Sequence, residues 1–278
     1  METAKLKRAI QQPGAAVEYL WHRAFSVFGH NDYKRFIVLG RPRIGSTWLI
    51  SLLDSHPNIY ARGEIFLKLN GRDYREILNR TFCKQPPHVK AVGFKIFYLQ
   101  PYDNKDCGIW PELIEMRQVQ VIHLKRKNIL QTLLSKKISQ QTKIAKATKG
   151  NQLKDIQKRK VELSYETYLQ DIQERKVEFT SEELVTEFNT LKRLEAEFDD
   201  KFRSHPLLTV YYEDLVSRLN AEMETITNFL GLPFYPPKSQ YVKLNPENPS
   251  NLIANYESLK REFSGTEWAQ FFEEEMTA

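Results

Sequence analysis

The chain has 278 residues, 41% hydrophobic and 27% charged, and its 41 Lys and Arg against 35 Asp and Glu give a formal net charge of +6. This composition excludes global disorder and suits one large α/β unit. The positive balance favours anionic ligands without choosing among nucleotide phosphates, anionic lipid and nucleic acid.

Residues 1–34 carry Leu6, Ile10, Val17, Leu20, Trp21, Ala24, Phe25 and Phe28 at helix-like spacings, broken at Pro13-Gly14. They are expected to be helical and packed on the same domain. With Lys5, Lys7, Arg8 and Arg23 they also allow a peripheral membrane contact. The stretch lacks the apolar run of a secretory signal, and nothing approaches the 18 apolar residues of a membrane span, so the expected location is the cytoplasm. Cys83 and Cys107, outside any CxxC pair, read as reduced thiols. No zinc-finger spacing or other nucleic-acid motif occurs, so nucleic acid is not an expected partner.

Phe36–Leu39 is a short apolar run ending at Gly40 and predicts a buried strand. A glycine-bearing loop follows, then a helix over Thr47–Asp54 stopped by His56-Pro57. Further strands are expected at Ile59–Ala61, Ala91–Phe97, Val119–Leu124 and Leu207–Tyr212, with helical stretches between several of them. Residues 136–203 are rich in charge and read as two or three amphipathic helices, with Leu184, Phe188, Leu191, Leu194 and Phe198 on one face and a very basic stretch near Thr142–Lys160. The expected architecture is P-loop-like: one three-layer α/β/α domain over residues 1–278, with a central mostly parallel sheet and a helical insertion at about 136–203.

Gly40-x4-Gly45-Ser46-Thr47 has the spacing and the strand-loop-helix setting of a Walker A loop, in which backbone amides at a helix N-terminus wrap a phosphate. Ser46 stands where that pattern has lysine, which removes the group that reaches the outer phosphates of ATP or GTP. Arg43 inside the loop supplies a forked cation instead. The loop therefore predicts one phosphate at its centre with further negative charge beside Arg43. Beyond the fourth strand, Arg126 stands at a strand end and Ser135 lies nine residues on, where both can reach one anion.

Arg43-x-Gly45-Ser46-Thr47-Trp48-Leu49 resembles the 5'-phosphosulfate loop of the sulfotransferases that use 3'-phosphoadenosine-5'-phosphosulfate (PAPS). Val121–Ile129 with Ser135 is similar to their 3'-phosphate motif. Gly93-Phe94-Lys95, Tyr212-Glu213-Asp214-Leu215, Phe229–Pro233, Asn255-Tyr256 and Gly265–Trp268 extend the resemblance from about Arg35 to near the end, in the style of bacterial carbohydrate sulfotransferases of the nodulation-factor and trehalose type. The resemblance is weakest over 136–203. It implies PAPS as co-substrate, 3'-phosphoadenosine 5'-phosphate (PAP) as product, no metal, and an acceptor hydroxyl on a sugar, glycolipid or small molecule. It implies donor binding by Arg43, Ile44, Gly45, Ser46, Thr47, Trp48, Arg126 and Ser135, with Trp48 stacking on adenine.

Sulfuryl transfer needs a base for the acceptor hydroxyl and cations for the charge on the leaving phosphate. Glu64, in Arg62-Gly63-Glu64, resembles the glutamate base of the trehalose and tyrosylprotein enzymes. Lys95 and Arg43 are the expected catalytic cations. His123 is a rival base, although its place within a strand also suits a core histidine. Glu213-Asp214 is expected to be structural, holding a basic residue of the phosphate loop. Two other readings compete: a P-loop nucleotide kinase, and a non-catalytic nucleotide- or lipid-binding protein of the same fold.

Overall fold

The computed structural model describes residues 29–142, 176–239 and 248–273. Most of the helical expectation over 1–34, and the basic stretch from 143, lie outside these residues. Where they begin, the helical reading is corrected: His30 forms a bridge with Gln85, and Lys34 already opens the first strand.

Five strands form one sheet in the order β2-β3-β1-β4-β5: β1 Lys34–Gly40, β2 Ile59–Glu64, β3 Ala91–Phe97, β4 Gln120–Lys125 and β5 Leu207–Tyr211. Every neighbouring pair is parallel. β2 runs three residues beyond the predicted strand. A register shift between Arg62 and Glu64 lets Glu64 end it opposite Lys95. α1 (Ser46–Asp54), α2 (Tyr74–Thr81) and α3 (Ile109–Glu115) follow the first three strands. α4 (Ile129–Thr142) and α5 (Ser181–Lys201) are the described helices of the insertion. α6 (Tyr212–Ser217) and α7 (Leu219–Phe229) follow β5, and α8 (Pro249–Leu252), α9 (Tyr256–Glu262) and a 3-10 turn at Ala269–Phe272 complete the described chain. No helix among the described residues is long and apolar enough to cross a membrane.

Strand residues alternate between faces, so the register divides the sheet into two surfaces. Phe36, Val38, Ile122 and Leu124 pack with Leu49, Leu53 and Ile226 on the α1/α7 side. Ile37, Leu39, Val92, Phe94, Ile96 and Val121 pack with Leu78, Leu113 and Phe198 on the other. A third core joins α4 and α5 to the C-terminal segment around Phe188, whose ring meets Phe263, Trp268 and Phe271. The predicted apolar stripe of α5 is this contact: Leu184, Phe188, Leu191 and Phe198 are buried.

A polar cluster ties α5 to the strand ends. His123 is fully buried; its Nδ1 is 2.7 Å from Asp199 and its Nε2 2.6 Å from the Tyr98 hydroxyl. Asp199 can only accept, so Nδ1 carries the proton and the Tyr98 hydroxyl donates to Nε2. Lys125 Nζ donates to the other Asp199 oxygen at 2.6 Å. Burial, and then the Lys125 charge, lower the His123 pKa from 6.5 to about 4. Arg41, at the end of β1, is also buried; desolvation brings its pKa down to about 10, with Glu195 of α5 opposing the shift.

Two predictions follow from this packing. Gly93 of β3 faces Phe36, and a Cβ there meets the Phe36 carbonyl oxygen and ring. Gly93→Ala should cost about 1–3 kcal/mol as overpacking and lower the melting temperature by roughly 5 °C; an unchanged melting curve contradicts this. For His123 the unfolded chain takes up a proton near pH 6.5, but the folded chain only near 4. Stability is therefore full above about pH 6.5 and falls toward pH 4, at up to about 1.4 kcal/mol per pH unit for this one proton. His123→Gln should flatten that part of the denaturation-against-pH curve, and an equal slope in both proteins contradicts the assignment.

Candidate active site

The predicted site residues come from the carboxyl edge of four strands, where ligands bind in open parallel sheets. β1 feeds the loop 41–45. Arg43 has φ 72° and Gly45 φ 84°, both left-handed. For an arginine this costs on the order of 1 kcal/mol. Gly45 is required twice: its φ suits glycine, and a Cβ would run into the Tyr212 ring. Beyond it, the first amides of α1 have no intrahelical acceptor and face the loop. Ile44 is a core residue with its side chain under Gly40, so the loop can use only its backbone.

Arg43 reaches across to α4. Its Nε and Nη2 donate to Ser135 Oγ at 3.1 and 2.9 Å. Arg126, just past β4, places Nη1 3.4 Å from the Arg43 carbonyl oxygen and donates from Nη2 to Gln131 at 2.5 Å. Its guanidinium lies 4.6 Å over the Tyr212 ring. Arg126 Nε is buried without a hydrogen-bond partner, at 3.5 Å from Glu213. The loop cation and the two predicted 3'-phosphate residues thus form one cluster, with a donor to spare for an anion.

Glu213 and Asp214 lie on the first turn of α6 rather than at a strand end. Glu213 accepts from the Lys127 and Asn128 amides at 2.9 and 3.3 Å, and Asp214 from Lys127 Nζ at 2.7 Å. Their role is structural, but they hold the segment carrying Arg126 and Lys127 after β4, in place of the expected basic residue of the 41–48 loop.

The second cluster lies on the β2–β3 side. Lys95 is 3% exposed, and its Nζ donates to Thr47 Oγ1 at 2.8 Å and pairs with Glu64 Oε1 at 3.0 Å. Glu64 Oε2 accepts from Gln100 Nε2 at 3.0 Å, leaving the carboxylate anchored on both oxygens yet partly open to solvent. Lys95 shares its register row with Val38 and Ile122, whereas His123 shares the next row with Leu39. Adjacent rows face opposite sides, so the sheet separates His123 from Lys95 and Thr47. His123 is a satisfied core histidine. His56 is likewise structural, with Nε2 3.0 Å from the Pro233 carbonyl oxygen. Trp48 is half-buried, packed on the α1/α7 core with its ring edge-on to Tyr212 at 6.0 Å.

Tyr212, Gln100 and Gln131 carry no role in the sequence reading. Tyr212 touches Gly45, Trp48 and Arg126, and only its place in Tyr212-Glu213-Asp214 marks it. Gln100 and Gln131 have no sequence signal, because their roles come from loop geometry. Among the described residues, no three His, Cys, Asp or Glu side chains gather as a metal site.

The sulfotransferase domain model matches residues 33–278. Nodulation protein H of Rhizobium tropici is 29% identical over 255 residues, covering 86% of this chain and 92% of its own. A Rhizobium meliloti protein of the same name is 24% identical over 256 residues, covering 86% and 94%. Among solved structures, a sulfotransferase from Alicyclobacillus acidocaldarius superposes with TM-score 0.45 at 13% identity, over 82% of this chain and 90% of that one. The match spans both clusters and all five strands: the chain belongs to the sulfotransferase domain family.

Proposed function

We propose that the chain transfers the sulfuryl group of PAPS to a carbohydrate hydroxyl, within a single domain, with Glu64 as general base. The observation that carries the donor assignment is the Arg43–Ser135–Arg126 cluster beside the loop amides. Loop amides of Gly45–Trp48 and the Ser46 and Thr47 hydroxyls suit the 5'-phosphosulfate. Arg126 and Ser135 suit the 3'-phosphate. The buried, unfilled Arg126 Nε is the kind of donor that a phosphate oxygen completes. Half-buried Trp48 offers a ring for adenine.

The reaction is an in-line displacement at sulfur. The acceptor oxygen forms a bond to sulfur as the bond from sulfur to the phosphate oxygen breaks, and the pair of electrons leaves with PAP. Glu64 takes the acceptor proton. Lys95, already between Glu64 and Thr47, neutralises charge on the transferring group and the bridging oxygen. Arg43 adds charge on the phosphate side. The carbohydrate acceptor is supported by resemblance to the nodulation proteins and by the open side of Glu64.

Glu64→Gln should leave PAP affinity intact and cut turnover by about 10²–10⁴, as for loss of a general base; labelled sulfate transfer measures it, and unchanged turnover removes Glu64 from the mechanism. Arg126→Ala should weaken PAP binding by about 2–3 kcal/mol, the scale of one charge-assisted contact. Unchanged PAP affinity in that variant would remove Arg126 from the donor site.

A further inference from the structure

Three of the large hydrophobic side chains exposed among the described residues lie within three positions of Glu64 or of Gln100, its hydrogen-bond partner: Leu67 at 43%, Leu99 at 51% and Tyr102 at 40%. They sit on the two loops that leave the carboxyl ends of β2 and β3, the strands that carry Glu64 and Lys95. The loops are tied into one shelf. The Tyr102 amide donates to the Leu67 carbonyl oxygen at 3.1 Å, and the Asp103 carboxylate accepts from the Leu69 and Asn70 amides at 2.8 and 2.7 Å.

Gln100 links the shelf to the base. Its side chain is fully buried, its Oε1 accepts from the Phe97 amide at 3.1 Å, and its Nε2 donates to Glu64 at 3.0 Å. Tyr102 follows Gln100 by two residues on the same loop. Burial, then the nearby Glu64 charge, raise its pKa, so the phenol stays neutral. The Tyr102 backbone is held by its bond to Leu67, and a tyrosine has few side-chain torsions, so a ligand covering the ring loses little side-chain entropy.

We propose that Leu67, Leu99 and Tyr102 are the acceptor platform and that they take the C–H face of a pyranose ring whose edge hydroxyl points at Glu64. The inference rests on the sulfuryl-transfer reading above. Any hydroxyl that reaches Glu64 brings its carbon skeleton alongside this shelf. An open polyol laid there buries hydroxyls against leucine without partners, which is costly. A pyranose separates the two chemistries: its C–H face covers apolar surface while its hydroxyls radiate from the edge, one of them toward Glu64. A simple alkyl alcohol covers the leucines but brings Glu64 a single hydroxyl on a freely rotating chain, which must be ordered on binding.

The test is PAP release from PAPS by the purified chain with methyl glucopyranoside, methyl galactopyranoside, sorbitol or hexanol as acceptor, alongside calorimetry with PAP. A pyranoside should exceed sorbitol and hexanol in kcat/KM by about tenfold, the scale of an aromatic face covered by C–H groups. Tyr102→Ala should erase that preference by raising the pyranoside KM, with PAP affinity unchanged, and Tyr102→Phe should keep it. Leu99→Ser should act in the same direction as Tyr102→Ala. A preference unmoved by Tyr102→Ala, equal use of sorbitol or hexanol, or PAP binding without sulfation of either pyranoside overturns the platform and leaves the donor reading standing. Failure to bind PAP overturns both.

Discussion

Three guanidinium groups crowd the carboxyl edge of this sheet, and much of the surrounding structure serves to hold them together before any anion arrives. Arg41 ends β1, Arg43 lies two residues on, and Arg126 follows β4, the strand beside β1. Burial lowers the Arg41 pKa to about 10, and the Arg126 charge adds to the shift. Like charges this close repel, and each is countered by a different means. Arg43 is spanned to the Ser135 hydroxyl, Arg126 lies over the Tyr212 ring beside Glu213, and Arg41 faces Glu195 in the interior. Such a cluster is preorganised for a ligand with phosphate at two places, because the reorganisation cost has been met on folding.

The parity of the sheet then separates this chemistry from support. Rows facing α1 carry Lys95 and Glu64, while the alternate row carries His123, which meets Asp199 of α5. The insertion is thus anchored by polar contacts on one face of the sheet, and Glu64 stands on the opposite face, partly open to solvent. The α5 helix also pairs with α4, through Glu187 with Lys136 and Glu183 with Lys137. These pairs are exposed and individually weak. The Phe188 cluster must supply most of the energy that sets α4, and with it Ser135, in place.

Much of this was legible in the chain itself. Short apolar runs ending in glycine or polar residues marked all five strands. The glycine spacing and the missing Walker lysine pointed to a phosphate loop without triphosphate chemistry. Arg126 and Ser135 were readable because a strand end and a helix position are local facts. Tyr212 was not, since its role depends on β5 delivering it against Gly45, 167 positions earlier in the chain. Gln100 was hidden for the same reason: only the turn after β3 brings its amide to Glu64. The choice between Glu64 and His123 also needed the strand register, because a one-residue offset decides which face a side chain occupies. The limits of β2 were misjudged by three residues for a physical reason, the register shift at Arg62–Glu64, which leaves no compositional mark.

In the proposed donor site, the loop amides and the Arg43–Ser135–Arg126 cluster should together grip a nucleotide phosphorylated at both the 5' and 3' positions. Calorimetry of the unaltered chain with PAP, with adenosine 5'-phosphate and with ATP plus magnesium tests it most directly. PAP should bind without magnesium and more tightly than adenosine 5'-phosphate by about tenfold or more, the worth of a second charge-assisted phosphate contact. Equal affinity for PAP and adenosine 5'-phosphate, or binding of ATP with magnesium alone, contradicts it.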